Sequence, residues 1–175
     1  MTQLRAGALL WKGNPVDVAG PELKPGDPAP TGYVLSANDL APVTAADLAG
    51  KPRILLAVPS LDTPVCEAET RRFNQEAAKL PDLKVYVVSM DLPFAQKRWR
   101  GAAGVDRVRT LSDYRERSFG PAFGVLVPKL QLFARAVFVI DAQDVVRYVE
   151  YVKDATWEPD YDAALAAARK LLEPA

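Results

Sequence analysis

RILLAVPSLDTPVC, residues 53–66, places a strand directly before the start of a helix. The apolar run at 53–58 is typical of a strand buried in a sheet, and Pro59 ends it. Pro64 suits the first position of a helix, where the N–H group that proline lacks would have no helical partner. We therefore predict a helix over residues 65–80.

Further elements on both sides of this stretch complete an alternating pattern. In chain order they are a hairpin over residues 8–18, a short strand at 34–35, a helical turn within 43–48, a strand at 85–90, short helical pieces at 94–100 and 114–119, a hairpin over 136–151 and a helix over 160–172. A strand, a helix and a second strand in this order predict a crossover connection. The pattern resembles a thioredoxin-like α/β fold, with a central mixed sheet flanked by helices and an added N-terminal hairpin.

The composition limits the kind of protein. Lys plus Arg (22) equals Asp plus Glu (22), so the formal net charge of the 175 residues is zero. Nucleic-acid surfaces and polybasic membrane contacts need clustered positive charge, which the sequence does not indicate. The longest apolar runs fall far short of the roughly 20 residues that span a bilayer. We expect one domain over residues 1–175 in a cytoplasmic protein, with no nucleic-acid or membrane partner.

Two residue counts narrow the chemistry further. The chain has no histidine, which excludes Ser-His and Cys-His catalysis and histidine metal sites. It has one cysteine, Cys66, so no disulfide can form within the chain. Glu67 and Glu69 follow this cysteine, but they lack the third ligand that a metal site needs. We expect no metal and no cofactor.

Cys66 lies where the start of a helix favours an anion. With Thr63 as the N-cap, Cys66 falls in the first turn, near unpaired N–H groups and the positive end of the helix dipole. We expect a lowered thiol pKa there, and only the thiolate is nucleophilic. Helix-end effects contribute only about 0.3 to 1 kcal/mol, so we also expect a cationic side chain beside the sulfur. The alternative is that Cys66 is a small buried core residue, as lone cysteines usually are.

The residues around Cys66 resemble a known family. Pro59, Thr63 and Cys66 match the Pro-x-x-x-Thr-x-x-Cys signature of the peroxiredoxins, and residues 59–74 resemble their bacterial thiol peroxidase subgroup. Three further blocks support the subgroup, namely DLPFAQ at 91–96, ARAVFVID at 134–141 and EPDYDAAL at 158–165. The similarity covers nearly the whole chain.

This resemblance implies which residues carry the chemistry. In the family, a threonine hydroxyl and a remote arginine hold the peroxide and the thiolate, while a proline shields the sulfur. Those roles correspond to Thr63, Arg135 and Pro59, with Cys66 as the attacking residue. Arg135 would supply the required cation, and its charge persists at any working pH. The resemblance also implies a homodimer with apolar loop residues near the active site as its contact.

One position departs from the pattern of the subgroup. A second, resolving cysteine usually follows the Phe-Ala-Gln block, whereas this chain has Arg100 at that position. A sulfenic acid formed on Cys66 must therefore be reduced by a thiol from elsewhere. The candidates are a thioredoxin-like or glutaredoxin-like protein, a small thiol that Arg100 could help to recruit, or, least favoured, Cys66 of a second chain.

The sequence thus predicts a thiol-dependent peroxidase that reduces hydrogen peroxide and small organic hydroperoxides. A redox sensor, in which oxidised Cys66 alters binding to a partner, stays open because the resolving cysteine is absent. A disulfide reductase is disfavoured, since the chain has no Cys-x-x-Cys pair. Multiple turnover with a reductant separates the first two functions.

The Arg100→Cys variant tests the alignment of this segment. We expect one equivalent of hydrogen peroxide to join the new thiol to Cys66, because the resemblance implies that a sulfenic acid on Cys66 condenses with a thiol at this position. Intact mass under non-reducing conditions would show the loss of two hydrogens. The unchanged chain, with one thiol, is the control, and persistent absence of the disulfide would show that the alignment is wrong.

Overall fold

The computed structural model describes residues 2–174, and this part of the chain forms eleven strands and five helices. The strands are β1 (Leu4–Trp11), β2 (Asn14–Ala19), β3 (Val34–Ser36), β4 (Pro42–Thr44), β5 (Arg53–Ala57), β6 (Lys84–Ser89), β7 (Val108–Ser112), β8 (Leu126–Val127), β9 (Leu132–Phe133), β10 (Ala136–Ile140) and β11 (Val146–Tyr151). The helices are α1 (Ala45–Leu48), α2 (Pro64–Ala78), α3 (Pro93–Ala103), α4 (Phe119–Phe123) and α5 (Tyr161–Leu171). None of these helices combines the length and apolar character that a bilayer crossing requires.

A mixed sheet of seven strands forms the centre of the fold, in the order β11-β10-β5-β6-β7-β3-β4. Its strands β5, β6 and β7 are parallel, whereas β10 is antiparallel to β5 and forms a hairpin with β11. A second sheet, β1-β2-β8-β9, contains the N-terminal hairpin. The predicted mixed central sheet and added hairpin are therefore confirmed.

Apolar side chains cover both faces of the central sheet. All five residues of β5 are buried. Alternate side chains of a strand point to opposite faces, so both faces of β5 are covered. Leu55 belongs to one core with Phe119 and Phe123 of α4, and Ile54 belongs to another with Phe73 of α2. Each such side chain contributes about 1.5 to 3 kcal/mol on burial. This packing fixes the end of β5, from which the chain leads into α2.

The helical piece predicted at 114–119 is wrong. Those residues form a turn and an irregular segment, and α4 begins only at Phe119. The reason is Asp113, whose buried carboxylate accepts hydrogen bonds from the N–H groups of Ser118, Phe119 and Gly120 at 3.0, 3.1 and 2.9 Å. Because this side chain binds the free N–H groups of the first turn, it sets where the helix starts. Strands β4, β7, β8 and β9 were not predicted either.

Two glycines allow the N-terminal segment to pack closely against the end of α4. Gly20 has a φ of 105° and Gly124 a φ of 68°. A side-chain carbon added at Gly20 would collide with the carbonyl oxygen of Pro121, and one added at Gly124 with that of Pro21. The side chain of Arg5 also donates to the carbonyl oxygen of Gly124 at 2.6 Å. This backbone contact connects the N-terminal hairpin to the core.

The Gly124→Ala variant tests how much this contact stabilises the protein. Gly104, which ends α3, is a matched control, because its φ is 65° but an added carbon would meet nothing within 4 Å. We expect Gly104→Ala to lower the free energy of unfolding by about 1 to 2 kcal/mol, from backbone conformation alone. Gly124→Ala should cost about 1 to 3 kcal/mol more, because the backbone must move apart. Denaturant unfolding measures both, and equal losses would contradict the close contact.

Candidate active site

The helix that carries Cys66 begins as the sequence predicts. Thr63 is the N-cap of α2, and its Oγ1 accepts a hydrogen bond from the N–H of Cys66 at 3.3 Å. Pro64 occupies the first helical position. Cys66 carries a free thiol and is 0% exposed. The sulfur therefore lies in the first turn of α2, closed off from solvent.

One carboxylate holds the loop between β5 and α2. Asp91, just after β6, accepts hydrogen bonds from Oγ of Ser60 at 2.7 Å and from the N–H of Leu61 at 2.9 Å. Oγ of Ser89 donates to the same carboxylate at 2.7 Å and accepts from the Gln96 amide at 3.0 Å. The DLPFAQ block thus positions the loop that leads to Cys66, a function that the sequence analysis did not assign to it.

Arg135 brings a positive charge to the sulfur from a distant part of the chain. It directly precedes β10, is 1% exposed, and its Nη2 donates to Sγ of Cys66 at 3.1 Å. Nε and Nη2 also donate to the carbonyl oxygen of Ala155, at 3.1 and 3.0 Å. Arg135 is therefore not a surface charge, and the fold brings it together with a cysteine 69 residues away.

A buried carboxylate completes the surroundings of this guanidinium. Glu69, about one helical turn after Cys66, is 0% exposed, and its Oε2 accepts a hydrogen bond from Nη1 of Arg135. Its other oxygen, Oε1, has no hydrogen-bond partner among residues 2–174. The sequence analysis considered Glu69 only as a metal ligand and missed this ion pair. Its spacing of three residues from Cys66, which puts both on one helix face, was the available signal.

The charge balance at the sulfur differs from the predicted one. Burial raises the pKa of the Cys66 thiol, and the Arg135 charge and the Thr63 hydrogen bond offset this only in part. The expectation of a lowered pKa was wrong because it did not include the complete loss of solvent around the sulfur. Burial also raises the pKa of Glu69 to about 7, against the opposing effect of Arg135. Both Cys66 and Glu69 accept a hydrogen bond from Arg135, so their negatively charged forms compete for one guanidinium.

A cleft of about 340 Å³ opens next to these residues. Its lining consists of Trp11, Lys12, Pro59, Thr63, Pro64, Val65, Arg135, Ala155 and Thr156. Three of the four predicted site residues line it directly, whereas Cys66 lies behind them. Within residues 2–174, no group of three or more His, Cys, Asp or Glu side chains is arranged to bind a metal ion.

A buried aspartate holds the tip of the N-terminal hairpin against this cleft. Asp154 is 2% exposed and accepts hydrogen bonds from the N–H groups of Lys12 and Gly13 at 3.2 and 2.8 Å. It also accepts from the N–H and hydroxyl of Thr156 at 2.9 and 2.6 Å. The next residue, Ala155, supplies the carbonyl oxygen that binds Arg135. One hydrogen-bond network thus connects the hairpin to the guanidinium, and the sequence analysis did not identify Asp154.

Known proteins resemble this chain over nearly its whole length. A protein-family model described as Redoxin matches residues 24–165. Thiol peroxidases of Halalkalibacterium halodurans and Bacillus subtilis are 55% and 52% identical to this chain. Each alignment covers 94% of this chain, and they cover 99% and 98% of those two proteins, respectively. A solved peroxiredoxin-like protein from Aquifex aeolicus is 41% identical and has a TM-score of 0.86, covering 97% of this chain and 98% of that one. A thiol peroxidase from Chromobacterium violaceum, 23% identical, shares the fold with a TM-score of 0.83 over 93% of this chain and 95% of that one. These matches confirm the predicted fold class.

The Glu69→Gln variant tests the competition for the guanidinium. We expect it to lower the pKa of the Cys66 thiol, because it removes a negative charge and leaves an amide oxygen to accept from Arg135. Because both groups contact the same guanidinium, the repulsion removed is on the order of 1 to 2 kcal/mol at an effective dielectric constant of about 20. Titration of the thiolate by its ultraviolet absorbance measures the change.

Glu67→Gln is the matched control for this titration. Glu67 is adjacent to Cys66 in sequence, but its side chain is 44% exposed and forms an ion pair with Arg71 at 2.9 Å. Solvent screens such a charge, so the thiol pKa should stay close to that of the unchanged protein. A similar effect of both variants would contradict the competition.

Proposed function

The chain belongs to the redoxin family, and we propose that it is a thiol peroxidase in which Cys66 reduces peroxides with electrons from external thiols. The contact of 3.1 Å between Sγ of Cys66 and Nη2 of Arg135 is the observation that carries this proposal. The permanent positive charge of Arg135 thus lies against the only thiol in the chain. The cleft beside it is large enough for hydrogen peroxide or a small organic hydroperoxide.

The first step is nucleophilic attack by the Cys66 thiolate on one peroxide oxygen. A bond forms between the sulfur and that oxygen, and the O–O bond breaks. The second oxygen leaves with the electron pair and takes up the proton released by the thiol, giving water or an alcohol. The sulfur is oxidised to sulfenic acid while the peroxide is reduced. Arg135 stabilises the negative charge that develops on the departing oxygen, and it needs no reorientation because Ala155 and Glu69 already hold it.

Thr63 and Pro59 have supporting roles in this proposal. Oγ1 of Thr63 donates to the carbonyl oxygen of Ser60 at 3.1 Å while accepting from the N–H of Cys66. Rotation of the hydroxyl would let it donate to a peroxide oxygen in the cleft instead. Pro59 contributes an apolar, rigid wall that restricts water near the sulfur.

The sulfenic acid is then reduced by a thiol from outside the chain. That thiol attacks the sulfur of Cys66, a mixed disulfide forms and water leaves, and a second thiol releases the reduced cysteine. Because Cys66 is fully buried, the first turn of α2 must open to admit the attacking thiol. A thioredoxin-like or glutaredoxin-like protein or a small thiol stays the predicted reductant, and the cytoplasmic location also stays a prediction.

A homodimer is part of the proposal. Leu92, Phe94 and Trp157 are 53%, 65% and 53% exposed, and a contact between two copies of the chain would bury them. Leu92 follows Asp91, which holds the loop before Cys66, and Trp157 follows Thr156 in the lining of the cleft. A contact through these side chains would therefore lie beside the active site.

The reaction of the reduced protein with one equivalent of hydrogen peroxide at neutral pH tests the proposed chemistry. We expect a reaction far faster than that of free cysteine. Stopped-flow tryptophan fluorescence measures its rate, and the intact mass should increase by one oxygen atom. Arg135→Gln should slow it by about 10² to 10³, as the loss of an oxyanion donor does. Arg147→Gln is the control, because Arg147 also pairs with a carboxylate, that of Asp141, but is 52% exposed.

A second experiment, with excess peroxide and a thiol reductant, distinguishes the enzyme from a redox sensor. Repeated turnover of peroxide with a thiol reductant is expected of the peroxidase, and Cys66→Ser should abolish it. A rate no faster than that of free cysteine would contradict the proposed assembly of Thr63 and Arg135 around the sulfur. A single fast oxidation that no thiol reverses would favour the sensor.

A further inference from the structure

A group of cations lies at the end of the central sheet opposite to Cys66. The cysteine follows the C-terminal end of β5, whereas Lys84 begins β6 and Arg107 directly precedes β7. Because β5, β6 and β7 are parallel, these two cations lie at the other end of the strands. Arg109 of β7 is in register with Tyr86 of β6 and adds a third cation.

Arg100 joins this group from α3. Its Nε donates to the carbonyl oxygen of Val105 at 3.1 Å and its Nη2 to that of Asp106 at 3.3 Å. Nη2 of Arg107 similarly donates to the carbonyl oxygen of Ala77 at 3.5 Å. These acceptors are uncharged, so they orient both guanidinium groups without neutralising them.

These side chains border a concave surface. Lys84, Arg100, Arg107 and Arg109 line a groove of about 370 Å³, in which Asp106 is the only carboxylate residue. A neighbouring concavity of about 340 Å³ shares Arg100 and Arg109 and adds Lys97, with Asp39 as its only acidic residue. We call the two together the cationic groove.

The five cations of the cationic groove are unpaired. Over the described range 2–174, ion pairs are formed by other arginines and by Lys79, and none involves a residue of the groove. The five cations outnumber the two acidic residues of the lining, Asp39 and Asp106, in a chain whose formal net charge is zero. Like charges held close together repel one another, and a bound anion would remove that repulsion.

We propose that the cationic groove binds a small anion with two or more linked phosphate groups. Guanidinium groups bind phosphate oxygens through paired hydrogen bonds, and groups fixed in advance lose little freedom on binding. Linked phosphates extend along a groove and reach cations of β6, β7 and α3 together, whereas a single carboxylate or orthophosphate reaches only one or two. Nucleic-acid surfaces neutralise more phosphates than five cations can, which favours a small anion.

Calorimetric titration of the whole reduced protein with tripolyphosphate, at physiological ionic strength, tests this proposal. We expect saturable binding at one site, and the Arg100→Gln/Arg109→Gln variant should weaken it at least about tenfold, since charge-assisted hydrogen bonds are lost. Arg115→Gln/Lys129→Gln is the control, because it removes the same charge from exposed positions outside the groove. Its affinity should equal that of the unchanged protein.

The remaining outcomes would overturn the proposal. Equal weakening in both double variants would mean that the anion senses only the overall charge, and absence of saturable binding would mean that there is no site. If orthophosphate binds as tightly as tripolyphosphate, linked phosphates are not needed. If a single-stranded oligonucleotide displaces tripolyphosphate at a concentration below that of tripolyphosphate, the ligand is not a small anion. Arg109→Gln alone keeps the test valid if the loss of Arg100, which holds the turn after α3, prevents folding.

Peroxide reactivity serves as an independent readout on the same variants. Because no residue of the cationic groove lines the cleft beside Cys66, the rate of sulfenic acid formation should be unchanged in every variant of the groove. Loss of anion binding with unchanged peroxide reactivity is the expected result, and it does not depend on the proposed function being correct.

Discussion

The buried guanidinium of Arg135 is the constraint on which the active site depends. A charge removed from water costs several kcal/mol unless fixed partners meet it. Here the partners are Sγ of Cys66, the carboxylate of Glu69 and the carbonyl oxygen of Ala155. Loss of Glu69 would leave the guanidinium charge uncompensated in the interior, and loss of either other partner would remove a hydrogen-bond acceptor from it. The group that stabilises the reacting sulfur therefore also ties α2 to the start of β10 and to the segment after β11.

Aspartates that are buried or half-buried hold the surrounding loops through hydrogen bonds to the backbone. Asp91, Asp113 and Asp154 each accept a hydrogen bond from a backbone N–H group outside the helices and strands, those of Leu61, Ser118 and Gly13. Such bonds satisfy groups that would otherwise be buried without partners, and those to a charged acceptor are about twice as strong as neutral ones. Asp91 fixes the loop before the cysteine, and Asp154 fixes the wall of the cleft. A site formed by loops thus has few alternative conformations.

Capping residues and prolines in the sequence predicted those helices and strands whose ends depend on neighbouring residues. Thr63 and Pro64 indicated the start of α2, and the helix was found within two residues of the expected range at each end. These local signals failed at 114–119, because Asp113 caps α4 from outside the helix. They also failed for Glu69, whose hydrogen-bond partner, Arg135, directly precedes β10 in a remote part of the chain. The second interaction spans 66 residues and is therefore absent from any short window of sequence.

By itself, the sequence determined the available chemistry: one thiol, no imidazole, and a helix start that presents the thiol in its first turn. These features follow from residue identity and from contacts between neighbours along the chain. Only the tertiary structure decided the charge around the sulfur, because burial and the Arg135–Glu69 pair depend on segments far apart in sequence. It also gathered five cations, scattered over residues 84–109, into one groove. Electrostatic energies vary with distance and solvent exposure, and folding alone sets both.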